Sequence, residues 1–569
     1  MSSKDLHALR NVFGDSAEEN KWTSVAAIAA SPPRTARDLL QAHDDLLFMR
    51  AFPGDARTAR VCQAALHQFD RWVARLTKSE RKALDDTGVT GAITRHIYEL
   101  PLATWLARHV KDGIDIDWRA SSDPTMLDPF IRAFTRKSEL DAFDSGDYST
   151  RDWVRLARGA DALSDFHWMI KAANGAAVKQ SDLNALWTAA EVQIEWRLKG
   201  SRWATSRNFL TGSPVTPRKS FRRPPEDIAR RIREPLKTIE LLPRSKARRV
   251  IELARTALAV RCREVVAITY ANVDEVYWCD LGEGVALAVI CVAPAHRLPL
   301  ETNTGYLLLS NGTPIGYGGV TPLFRQANTG INIFDAFRGG ETAFCWVEML
   351  RAFHTLFGSA RFIVNGYQFG EGNAEAIDSG AYWFYYRLGF RPNDPDRRRL
   401  AAEEFDRLRQ PGATRSSKKT LKALAKGDMI LDLPEFDKRD TFGEDQLGKL
   451  SALASARLAA APVADRAGAE IWQADAVARA LGVRDRRSWP KAEREAFNMM
   501  APIVAIAPDL ADWTAAEKKA VVAFMRAKGA SQERTFAHAA ADCPRLFRTL
   551  AKAGADPEPA GPKVRASRS

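Results

Sequence analysis

The sequence predicts an α/β chain in which a central mixed-sheet domain is flanked by mainly helical N-terminal and C-terminal regions. β-rich runs gather between residues 275 and 364, helical runs fill the chain on either side, and a basic, proline-punctuated stretch precedes the strands. At 569 residues the chain is long enough for about three or four domains, and a hydrophobic content of 46% suffices for a sizeable core. The expected divisions are a helical region over 1–212, a basic Pro-rich linker and helix over 213–243, and the sheet domain over 244–436. An Ala-rich helical region over 437–554 and a compositionally disordered tail over 555–569 follow.

The first region reads as almost wholly helical, with amphipathic runs such as Asp55 to Leu76. Trp153, Trp168, Trp187, Trp196 and Trp203 recur at helix-like intervals and are expected as core anchors, since each buries a large apolar surface. From Ser201 to Val250 the chain holds fourteen Lys or Arg against four Asp or Glu, which accounts for most of its net charge of +13. Such a segment can neutralise phosphates of nucleic acid or meet an acidic partner. Pro214, Pro217, Pro224 and Pro225 equally mark a solvated linker. No zinc finger, helix-turn-helix or RNA-binding aromatic pair accompanies the charge, so nucleic-acid binding has little else behind it.

A helix is expected near Ser245 to Arg263, then strands at about Glu275 to Cys279 and Val285 to Val292, the second a continuous apolar run suited to a sheet interior. Asn311-Gly312 favours a two-residue hairpin with positive φ at both positions, pairing Gly305 to Ser310 with Ile315 to Val320. Ile331 to Phe334 reads as a buried strand ending at Asp335, and Arg338-Gly339-Gly340 supplies a turn into a helix from Glu341 to about Phe357. Such a junction leaves backbone N–H groups pointing outward, where the helix dipole favours a phosphate. A further strand lies within ARFIVNGYQFG, Asn373 reads as an N-cap, and Tyr382 to Tyr386 form an aromatic helix face. Met429 to Leu433 is the candidate last strand, reached through helices that form an insertion.

Ala381, Tyr385, Gly389 and Phe390 keep the spacing Ala-x-x-x-Tyr-x-x-x-Gly-Phe that ends the fourth helix of GNAT-type N-acyltransferases. With the order hairpin, strand, glycine turn, helix, strand, helix, the segment 305–392 resembles the acyl-CoA-binding half of that superfamily. The resemblance implies a GNAT-like sheet domain, acetyl-CoA or another acyl-CoA as substrate, and transfer of the acyl group to an amine by direct attack. It makes Tyr385 the general acid that protonates the departing thiolate. It also aligns Arg338, Gly339, Gly340, Glu341, Thr342 and Ala343 with the family's phosphate loop, Gln/Arg-x-x-Gly-x-Gly/Ala. Arg338 and Ala343 match the ends of that loop, and Glu341 stands where its first glycine belongs. A carboxylate there competes with a pyrophosphate, turns outward, or faces inward as a base. Asp335 is the candidate base for the acceptor's ammonium proton, or else a turn cap. The basic segment gains a third reading, as a partner for the 3′-phosphate of coenzyme A.

A non-catalytic binding or regulatory protein stands as the alternative. The six cysteines lack paired spacing, the histidines are dispersed, and no metal-ligand motif appears, so no metal is expected. The N-terminus lacks the apolar core of a secretory signal, and the longest apolar run, Gly284 to Ala295, falls short of the roughly 20 residues that span a bilayer. The expectation is a cytoplasmic protein with no membrane role.

Overall fold

The computed structural model describes residues 3–120, 124–198, 200 and 202–555, so 556–569 of the expected tail lie outside it. It is a mixed α/β structure with two open sheets. The smaller lies in the N-terminal region, where β1 (Ile93–Ile97), β2 (Ile114–Ile116) and β3 (Gln193–Arg197) form an antiparallel sheet in the order β1-β3-β2. That corrects the almost wholly helical expectation for this region. In β3, Ile194 and Trp196 point inward while Gln193 and Glu195 are only partly covered, a period of two rather than 3.6. Trp196 is thus a strand anchor.

The larger sheet begins with β4 (Ile239–Leu241), β5 (Ala271–Gly282), β6 (Val285–Val292) and β7 (Thr304–Ser310). It continues through β8 (Thr313–Leu323), β9 (Gln326–Thr329), β10 (Asn332–Ile333), β11 (Arg361–Val364), β12 (Arg391–Pro392) and β13 (Met429–Asp432). Its order is β12-β13-β11-β9-β8-β7-β6-β5-β4, with β10 paired to β8. Every pairing is antiparallel except β9 with β11. The hairpin between β7 and β8 turns at Asn311 (φ 46°) and Gly312 (φ 72°), as the Asn-Gly pair requires. The strand expected at Ile331 to Phe334 shrinks to two residues, and the polar run Gln326–Thr329 before it carries the parallel pairing instead. β13 returns after the inserted helices to lie between β11 and β12.

Residues 213–243 carry the short helix Ile228–Arg233 and the edge strand β4. This segment, here termed the strap, runs across the central helix Thr342–Phe357, which is buried on all its faces. A helix that is apolar all round must be covered all round. The sheet covers one side, with Phe353 packed on Tyr306, and the helix Glu533–Ala541 of the C-terminal region reaches another. Glu348 is wholly buried in this helix and is met by Arg231 of the strap (2.7 and 3.2 Å) and by Arg351 (2.9 Å).

The N-terminal helix Ala36–Ala51 ends on the hairpin turn. Ser310 Oγ and Asn311 Nδ2 donate to the Ala51 carbonyl (2.7 and 2.9 Å), while Asn311 Oδ1 accepts from the Thr216 N–H (2.7 Å). One side chain therefore ties the hairpin to the N-terminal helix and to the strap. The C-terminal helices dock through a buried ionic cluster: Arg297 lies 2.9 Å from Glu533 and 3.5 Å from Glu275, and Lys528 lies 2.6 Å from Glu533. No helix among the described residues is long and apolar enough to cross a membrane.

Asn311→Gly keeps the positive φ but strands the Thr216 N–H and leaves the Ala51 carbonyl with Ser310 as its one remaining side-chain donor, and is expected to lower stability by about 1–3 kcal/mol in urea unfolding. Asn311→Ala should cost roughly a further 1–2 kcal/mol, because alanine resists the left-handed region. Equal losses in the two variants would mean that the turn conformation carries no strain.

Candidate functional site

The parallel pair β9 and β11 stays in register only from Gln326 and Arg361 to Asn328 and Ile363. Beyond that point β11 continues against β13, while the other chain passes through Thr329 and Gly330 to pair with β8 as β10. The two strands part and leave a fork in the sheet. Gly330 lies at its root: the Tyr306 hydroxyl donates to the Gly330 carbonyl, and a Cβ on Gly330 would come 2.6 Å from Gln368 Cδ. A larger residue there would require Gln368 to shift.

Tyr385 closes the fork from below. It belongs to Ala381–Arg387, the second half of the expected fourth helix, which is parted at Gly380 from Ala374–Ser379. Asn373 caps the first half as expected, accepting from the Ala376 N–H (3.1 Å). The Tyr385 ring is buried against Trp346, Phe390 and Phe369, and its hydroxyl oxygen meets the backbone N–H of Ile331. Burial pushes this phenol well above its ordinary range, the Ile331 N–H offsetting only part of that rise. The group is a proton donor that stays protonated. Trp346 and Tyr382, fully buried beside it, carry an indole N–H and a hydroxyl that find no hydrogen-bond partner among the described residues.

The glycine turn leads into the N-terminal end of the central helix. Arg338 and Gly339 are exposed, Thr342 and Ala343 half-buried, and a Cβ on Gly340 would come 3.1 Å from the Phe52 ring. Glu341 is the helix N-cap and turns inward, away from this surface. Its carboxylate accepts from Arg218 Nε (3.0 Å) and Nη2 (3.3 Å) and from the backbone N–H of Arg222 (3.1 Å). The pair is sealed, with the two side chains 0% and 2% exposed. Glu341 faces inward, but as the buried partner of Arg218 and not as the open base that an inward position was expected to make it. Phe221 of the same strap packs edge-on to Phe13, Phe48 and Phe52.

Asp335 is exposed, pairs with Arg338 (2.8 Å), and acts electrostatically on Tyr317 and Arg261. Arg338 also reaches Glu375, so its charge is shared between two surface carboxylates. The sequence reading missed a group on the β8 side of the fork. Tyr317 stacks on Phe334 (5.2 Å), Arg261 lies over the Phe334 ring (4.2 Å), and Arg263 bonds the Tyr317 hydroxyl. A tyrosine between glycines in Gly316-Tyr317-Gly318 was the available signal. Among the described residues no three His, Cys, Asp or Glu side chains gather as a metal site would.

Arg218→Ala leaves a buried carboxylate unpaired and is expected to cost about 3–5 kcal/mol in chemical denaturation. Replacing both partners, Arg218→Met with Glu341→Leu, should restore most of that loss. A single variant as stable as the wild-type chain would contradict the sealed pair.

No protein-family model, no curated protein and no solved structure matches this chain, so its own residues carry the functional reading.

Proposed function

We propose that the chain is a GNAT-like N-acyltransferase that moves an acetyl or other acyl group from a coenzyme A thioester to an amine by direct attack. The observation that carries this reading is the fork between β9 and β11 with the buried Tyr385 hydroxyl at the Ile331 N–H. The spacing of Ala381, Tyr385, Gly389 and Phe390 and the glycine turn ahead of the central helix support it.

In this reading the thioester enters the fork. The amine lone pair attacks the acyl carbon, a C–N bond forms, and the carbonyl oxygen takes up the negative charge. Collapse breaks the C–S bond, and the leaving sulfur takes the Tyr385 proton. Asp335, acting from the rim, is the proposed acceptor of the ammonium proton. The backbone N–H groups of Gly339, Glu341, Thr342 and Ala343 would hold the pyrophosphate, with Arg338 beside them, while the Gly340 N–H is taken by the Phe337 carbonyl. Because Glu341 is turned inward and paired with Arg218, its charge does not oppose that phosphate. A cytoplasmic setting fits the six free cysteines.

One observation favours a second reading, a non-catalytic binding protein. Gln368 lies close to Gly330 and Phe52 close to Gly340, which narrows the space at the fork and at the turn.

Titration calorimetry with acetyl-CoA separates the two. Saturable binding, together with coenzyme A release when amines are supplied, is the outcome expected of the enzyme; absence of binding would favour the second reading. Tyr385→Phe should lower kcat by about 10²–10⁴-fold with little change in KM for the thioester. Since burial raises the Tyr385 phenol, kcat should show no alkaline fall from this group up to about pH 10, the ordinary tyrosine value. A fall near neutral pH that vanishes in Tyr385→Phe would contradict the assignment.

A further inference from the structure

We propose that the junction of the N-terminal region with the sheet domain holds a second site, for a small aromatic carboxylate, that no part of the acyl-transfer reading requires. A cavity of about 260 Å³ lies between the helix Leu100–His109, the chain from Arg202 to Thr211 and the helix Arg244–Ala259. It is slightly smaller than the roughly 300–1,000 Å³ of pockets for drug-sized ligands, which suits one ring or a fused pair.

Its walls are aromatic. Trp105 stacks on His109 (4.7 Å between rings, 28°), and Trp203 stands edge-on to Trp105 (5.9 Å, 81°). Trp203, expected as a core anchor, is only half-buried and lines this cavity, unlike Trp187 and Trp196, each 1% exposed. Flat indole faces at right angles offer a planar ligand both stacking and edge contacts.

The polar groups set the sign of the charge. Arg202 lies over the Trp203 ring (4.7 Å), and Arg249 donates to Thr211 Oγ1 (3.0 Å). Among the described residues neither arginine is paired with a carboxylate. A planar guanidinium presents paired N–H donors that suit a carboxylate, and this lining carries two of them. Glu252, on the same lining, disfavours a doubly charged anion and leaves room for an ammonium group on the ligand.

The test is calorimetric titration of the full chain with phenylacetate, L-phenylalanine and phenethylamine. Phenylacetate should bind saturably and phenethylamine should not. Arg202→Ala and Arg249→Ala should each weaken phenylacetate by about tenfold or more, the loss of a charge-assisted hydrogen bond. Trp203→Leu should abolish binding, with the melting temperature of each variant reporting that the fold persists. Tighter binding of L-phenylalanine, lost in Glu252→Gln, would identify the ligand as an aromatic amino acid; equal or weaker binding would identify a simple acid. Phenethylamine binding as tightly as phenylacetate, arginine variants that bind normally, or no saturation by the wild-type chain would each overturn the proposal.

Discussion

The central helix can be buried only because arginines from a distant segment meet its two carboxylates. Glu341, the N-cap, and Glu348 lie seven residues apart on nearly the same face of a mainly apolar helix, and both are nearly inaccessible. Unpaired carboxylates in such a place would cost several kcal/mol each. Arg218 and Arg231 meet them from 123 and 117 residues away in sequence. The most basic stretch of the chain is thus partly an internal counter-charge, laid as a strap over the helix. Strap and helix become one unit, and what the helix positions depends on that union.

Two consequences reach the candidate site. Drawing Glu341 inward leaves the exposed side of the glycine turn to Arg338, Gly339 and the backbone donors. The same burial holds Trp346 against Tyr385, which fixes the phenol at the point where β9 and β11 part. A proton donor held by packed aromatic rings and a backbone N–H has little freedom to stray, the kind of support a reacting group requires. The turn is meanwhile backed by Phe52, delivered by a helix whose last carbonyl is held by Ser310 and Asn311. N-terminal helix, hairpin, strap and glycine turn therefore form a continuous chain of contacts.

Much of the central domain was legible because its rules are local. Asn311-Gly312 demanded a hairpin turn through the backbone preferences of two residues, Val285 to Val292 was too continuously apolar for an edge strand, and Asn373 carried its own cap. The strand at Met429 could be anticipated from composition even across the inserted helices. Other features were hidden for equally physical reasons. The sheet formed by β1, β2 and β3 went unseen because Trp196 satisfies both a helical interval and a strand alternation, and only its partners choose between them. β9 is short and polar, so its strand character comes from its neighbours rather than from its side chains.

The chain by itself determined where the backbone turns, which runs are apolar, and that a tyrosine follows a glycine turn and a helix at a particular spacing. These are settled by dihedral preferences and periodicity acting over a few residues. The tertiary structure alone decided the direction of Glu341, the partners of the basic stretch, the pairing of Arg338 with Glu375, and the conversion of Trp203 from expected core anchor to cavity wall. Each of those depends on which groups lie across a gap of tens to hundreds of residues. A charge left in a low-dielectric interior takes whichever counter-charge the fold brings to it.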